Sequence, residues 1–115
     1  MNHLFVGAVF PFVAAVLWYA AARGRASLAL LVTAPAAMVA CATWAVLPDL
    51  PRTFGLASFD ARISMNPAID IFFWHYTLNL HESYSPWFNI GFVAMVAALF
   101  WAAWRELQRL EHPEP

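Results

Sequence analysis

The stretch LFVGAVFPFVAAVLWYAAARGRASLALLVTAPAAMVACATWAVL, residues 4–47, holds two uncharged runs, Leu4 to Ala22 and Ser27 to Leu47, of 19 and 21 residues. About 20 apolar residues are needed to carry a helix across roughly 30 Å of hydrocarbon at ~1.5 Å per residue. Each run therefore reads as a transmembrane helix. Only Arg23-Gly24-Arg25-Ala26 separates them, so the two must be antiparallel neighbours in a hairpin. A signal peptide is the competing reading of the first run, because Ala20-Ala21-Ala22 resembles a small-residue cleavage site. The leading Met1-Asn2-His3 lacks the positive charge of such a peptide, and the arginines follow the run instead. The first run is expected to be retained.

Working outward, a third uncharged run extends from Trp87 to Trp104 with Pro86 at its start, and continues as Arg105-Glu106-Leu107-Gln108-Arg109-Leu110-Glu111 before the tail 112–115. Composition supports this reading. Of the 115 residues, 63% are hydrophobic and 11% charged, against about 25% charged in soluble domains. The expected fold class is an all-α integral membrane protein. Its three transmembrane helices lie at about 4–22, 27–47 and 87–104, within one membrane domain.

Pro11 and Pro35 lie inside the first two runs, where neighbouring helices can re-satisfy the freed carbonyls. Small residues mark expected helix contacts at Gly7, Ala36, Ala40, Gly91, Ala94 and Ala98, with Asn89 as a polar contact. The runs carry no ionisable group, which argues against a transporter or proton channel formed by this chain alone. The single Cys41 cannot form an internal disulfide and reads as a small core residue.

Arginine sets the expected orientation. Arg23, Arg25, Arg105 and Arg109 fall on one side, Arg52 and Arg62 on the other. The arginine-rich side stays cytoplasmic, which places the N-terminus outside and the C-terminus inside. Trp18, Tyr19, Trp101 and Trp104 then sit at the inner interface, and Trp44 and Trp87 at the outer one. The expected location is a bacterial inner membrane, with the connection 48–86 facing the periplasm. Its formal charge is −2, from Arg52 and Arg62 against Asp49, Asp60, Asp70 and Glu82. The chain has no lysine and a net charge of −1, so no basic patch supports nucleic-acid binding.

The chemistry of the chain is concentrated in that connection. Pro48-Asp49-Leu50-Pro51 closes the second run, and Pro48 to Met65 reads as irregular or one short helical turn. Asn66-Pro67 is a helix start signal, with Asp70 complementing the first turn, so a short interfacial or re-entrant helix is expected over about 67–83. On such a helix Asp70, Thr77 and His81 share one stripe, and His75, Asn79 and Glu82 another about a third of a turn away. With polar groups on two stripes the helix lacks a single lipid face. Phe72, Phe73, Trp74, Tyr76, Tyr84 and Trp87 are then the expected contacts for partner subunits.

His75 and His81 are six apart, so the i, i+4 zinc pair is absent. Asp49, Asp70, His75, His81 and Glu82 remain candidates for a divalent metal if they converge in three dimensions. An imidazole among aromatic rings, His75 or His81, is also a candidate ligand for haem or a chlorin. The Pro48-Asp49-Leu50-Pro51 and His75, His81-Glu82 elements are faintly similar to small membrane proteins classed as metal-dependent hydrolases, with no motif carried over residue by residue. No catalytic nucleophile motif, phosphate loop or C-x-x-C is present. The leading expectation is a non-catalytic membrane subunit, surrounded by lipid and other integral subunits, in a complex that could be energy-converting. The alternative is a small metal-binding membrane protein or metallohydrolase.

Overall fold

A computed structural model describes residues 2–81 and 85–112. Among these residues the chain is helical throughout: α1 (Asn2–Ala21), α2 (Leu28–Val46), a 3-10 turn (Leu47–Asp49), α3 (Leu50–Thr53), α4 (Ala57–Ser64), a 3-10 helix (Pro67–Ile71), α5 (His75–Leu80) and α6 (Pro86–Glu111). Three stretches are long and apolar enough to cross a membrane: α1, α2 with its extension to Thr53, and α6. The molecule is elongated, 64 Å by 24 Å by 24 Å.

The hairpin closes through its backbone. Gly24 N donates to the Tyr19 carbonyl at 2.9 Å and Arg23 N to Ala20 at 3.0 Å. This is a Schellman-type cap, with Arg23 and Gly24 both at positive φ. Ser27 then opens α2, its hydroxyl accepting from Leu30 N at 3.1 Å.

Along the hairpin the helices meet on small residues. A Cβ at Gly7 would lie 2.6 Å from the Cys41 carbonyl oxygen and 2.9 Å from Ala42 Cα, so only glycine permits this approach. The buried stripe of α2 runs through Leu30, Ala34, Met38, Ala42 and Ala45. Ala36 and Ala40 lie on the exposed face. The seam therefore follows a different four-residue row, Ala34, Met38 and Ala42, set by where Gly7 and Ala8 allow approach. On α6 the buried residue is Met95, joined by half-buried Phe92 and Leu99. Gly91 receives the Phe5 ring, while Asn89, Ala94 and Ala98 are exposed. A groove of about 480 Å³ remains between α2 and α6, lined by residues that include Leu31, Pro35, Met38, Phe92, Val96 and Phe100.

The connection departs from expectation twice. Helical structure does not stop at Pro48 and Pro51, because each proline sits in the first turn of a new short helix, where its missing N–H is not needed. The stretch 48–65, expected to be irregular or to carry one short helical turn, carries both α3 and α4. The single helix expected over 67–83 is instead a 3-10 helix and α5, split at Phe72 to Trp74. Asn66 does cap, its side chain accepting from Ala68 N at 2.9 Å. Phe73 and Trp74 then adopt φ of 53° and 55°, each costing roughly 1–2 kcal/mol for a non-glycine residue. The expected end at Ser83 lies outside the described residues.

Candidate metal centre

The break is held by aromatic rings. Phe72 stacks on Trp44 of α2 with centroids 4.7 Å apart, Phe73 stacks on Phe10 of α1 at 5.4 Å, and Trp74 lies 5.9 Å from Phe10. Trp44 Nε1 donates to the Ile71 carbonyl at 3.3 Å. These rings were expected to face partner subunits; within the chain, three of them lie against its own hairpin. Tyr76 is half-buried, Trp87 is exposed, and Tyr84 lies outside the described residues.

α5 starts anew on Asp70, whose carboxylate accepts from Thr77 N at 2.9 Å and from Thr77 Oγ1 at 2.7 Å. Those two bonds hold the Asp70 carboxyl below the ordinary aspartate range. His81 Nδ1 donates to the Thr77 carbonyl at 2.9 Å, and its side chain is exposed.

Restarting the helix at residue 75 turns His75 inward, where it is 1% exposed. Its Nδ1 lies 2.9 Å from the Ala45 carbonyl oxygen. A carbonyl only accepts, so Nδ1 carries a hydrogen, and in the neutral ring Nε2 presents a lone pair. That Nε2 lies 3.2 Å from Asp49 Oδ1. The third member is His3 at the first turn of α1, 7% exposed, its ring stacked on His75 at 4.1 Å. His3 Nε2 lies 2.9 Å from Asn79 Oδ1, where the amide oxygen accepts.

One donor atom from each of His3, Asp49 and His75 lies within 4.8 Å of the others. Two imidazoles, each with one nitrogen hydrogen-bonded to an oxygen acceptor, and one carboxylate match a metal site's inner ligands together with their outer supports. A neutral Nε2 lone pair facing a carboxylate is repulsive, so the pair calls for a cation between them, either a proton or a metal ion. Burial opposes charging His75, but the Asp49 carboxylate and the Ala45 carbonyl outweigh it and raise its pKa above the ordinary histidine value. Side-chain exposure at Asp49 is 41%, which leaves the site open to solvent on that edge.

Of the five residues proposed from sequence as metal or cofactor ligands, the structure brings together Asp49 and His75. Asp70 and His81 serve α5 through Thr77, and Glu82 lies outside the described residues. His3 was missed because it stands one residue ahead of the first uncharged run. Topology was the available signal, since a hairpin puts the start of α1 and the end of α2 at the same face. A porphyrin plane does not suit His75, which has His3 across one ring face and Asp49 against the nitrogen that would ligate. No known protein family, curated protein or solved structure matches the chain.

Proposed function

We propose that this chain is a multi-pass inner-membrane protein, N-terminus outside, that holds one divalent transition-metal ion at its non-cytoplasmic surface through His3, Asp49 and His75. The carrying observation is the convergence of the three side chains with His75 Nδ1 committed to the Ala45 carbonyl. Two nitrogens and one carboxylate oxygen suit zinc, which would leave a further position to solvent or a ligand. Such a centre has the make-up of a hydrolytic site, because a zinc-bound water ionises near pH ~7. The arginine distribution supports the orientation.

Metal content of the full chain in detergent tests the reading, by elemental analysis after chelation and zinc reloading, and by the visible bands of a cobalt(II) form. One ion per chain is expected, lost in His3→Ala and in His75→Ala and kept in His81→Ala. A wild-type chain without stoichiometric metal, or a His81→Ala variant as depleted as His75→Ala, overturns it.

A second reading, that the chain packs laterally as a subunit of a larger membrane complex, is supported by α6. Only 6% of its most apolar window is buried within the chain, and the groove beside it is open. Extraction in mild detergent decides that point: a monodisperse monomer with no co-purifying membrane protein ends it, whatever the metal content.

A further inference from the structure

At the opposite end of the bundle, where α1 turns into α2 and α6 ends, three arginines converge on one concavity. Arg25, Arg105 and Arg109 line it together with Glu106, Gln108 and His112. The arrangement is anchored rather than splayed. Arg109 donates to the Gly24 carbonyl at 2.9 Å and to Glu106 Oε2 at 3.3 Å, and Ala26 N approaches Glu106 Oε2 at 3.4 Å. Arg105 lies over the Trp101 ring, 5.0 Å from its centroid. One carboxylate against three guanidiniums leaves the concavity with an excess of two positive charges.

Directly along the helices lies an apolar crevice of about 210 Å³ between α1, α2 and α6, lined by residues that include Tyr19, Ala26, Leu30, Ala34, Trp101 and Ala102. The two spaces adjoin: Arg25 precedes Ala26 in the chain, and Arg105 and Glu106 stand one helical turn beyond Trp101 and Ala102. Tyr19, Trp101 and Trp104 mark this level as the membrane–water boundary, the depth of lipid phosphates.

We infer that this end of the molecule is a binding site for one anionic phospholipid, its phosphate held among Arg25, Arg105 and Arg109 and the upper part of an acyl chain lying in the crevice. Charge complementarity names the occupant. A basic pocket between helices at headgroup depth recognises an anionic headgroup, and the apolar crevice beneath it takes a hydrocarbon chain, which a soluble anion lacks. The site is separate from the metal centre and stands or falls independently of it.

The full chain is reconstituted into vesicles of equal parts phosphatidylglycerol and phosphatidylcholine, re-extracted in mild detergent, and its retained lipid counted by native mass spectrometry. Phosphatidylglycerol is expected to be retained about tenfold over phosphatidylcholine. The Arg25→Gln, Arg105→Gln double variant brings the ratio near one. Ala102→Phe, which fills the crevice and leaves every charge in place, lowers retention of phosphatidylglycerol severalfold. Inorganic phosphate displaces no more lipid than chloride at equal ionic strength. Equal retention of both lipids by the wild type, an unchanged ratio in the double variant, full retention in Ala102→Phe, or specific displacement by phosphate each overturn the inference. Circular dichroism checks helicity, and Arg25→Gln alone, on the exposed turn, repeats the charge test without touching α6.

Discussion

The two ends of the α1–α2 hairpin are built on different physics. At the turn end short-range caps do most of the closing: backbone bonds from Gly24 to Tyr19 and from Arg23 to Ala20, and the bond from Leu30 N to the Ser27 hydroxyl, span three to five residues, with Arg109 adding one long-range bond to the Gly24 carbonyl. At the opposite end the closing is done by side chains far apart in sequence, with His3 reaching Asn79 across 76 positions and His75 reaching Ala45 across 30. Local backbone caps make a stable corner wherever the chain happens to carry glycine and serine. Long-range side-chain contacts make a particular arrangement of groups, and here they bring two imidazoles and a carboxylate together. Strain follows the same division: Arg23 takes positive φ within a cap that also recruits glycine, whereas Phe73 and Trp74 take it in a run with no glycine, held by rings on Phe10 and Trp44.

The contrast can be broken outright at the seam that joins the two ends. Gly7→Leu drives a side chain into the Cys41 carbonyl and Ala42, and a loss of about 3 kcal/mol or more is expected from overpacking against backbone. Thermal unfolding in detergent should show both ends failing together. His75→Ala comes next, at about 2–3 kcal/mol, because it vacates a fully buried position and strands the Ala45 carbonyl. Its signature is local, with faster proteolysis between residues 54 and 74 and an unchanged turn.

Ser27→Ala tests the other end, where loss of a single cap bond is worth about 1 kcal/mol. Hydrogen exchange should quicken at Leu30 and stay unchanged at Thr77. If Ser27→Ala and His75→Ala perturb the same amides equally, the two ends are not separate units.

The smallest effect is a pH dependence. The folded Asp70 carboxyl lies below its ordinary value because it accepts two bonds from Thr77. A depressed carboxyl contributes stability that is present above the unfolded value, near pH ~3.9, and is lost as pH falls through the folded value. The Thr77 amide resonance is therefore expected to keep its downfield position through neutral pH and to lose it only in acid, below the unfolded carboxyl range. Asp70→Asn should remove that transition while the Gly24 amide remains unaffected.

This division also explains what was legible in the amino-acid sequence. The three long helices follow from uncharged runs and the hairpin from a four-residue connection, both local signals. Asn66 was recognised as a cap because capping depends on neighbours two and three residues away. The split at Phe72 to Trp74 was invisible, because nothing local opposes a continuous helix there; rings on α1 and α2 override the local preference. His3 was overlooked for a related reason. Its contact with Asn79 lies 76 positions away, and its significance appears only when the hairpin carries it to the level of Asp49 and the outer segment folds back over both. Asp70 and His81 were candidates on the condition that they converge with Asp49 and His75, and the folded α5 engages both with Thr77 instead.

The centre draws on residues 3, 49 and 75, so its parts leave the ribosome in three instalments. The hairpin carries His3 and Asp49 at one face, and His75 joins them only through the aromatic break that packs onto that hairpin. Assembly of the three-residue cluster is thus ordered by the chain itself, and a metal held there as proposed would load at the end of biosynthesis rather than during membrane insertion.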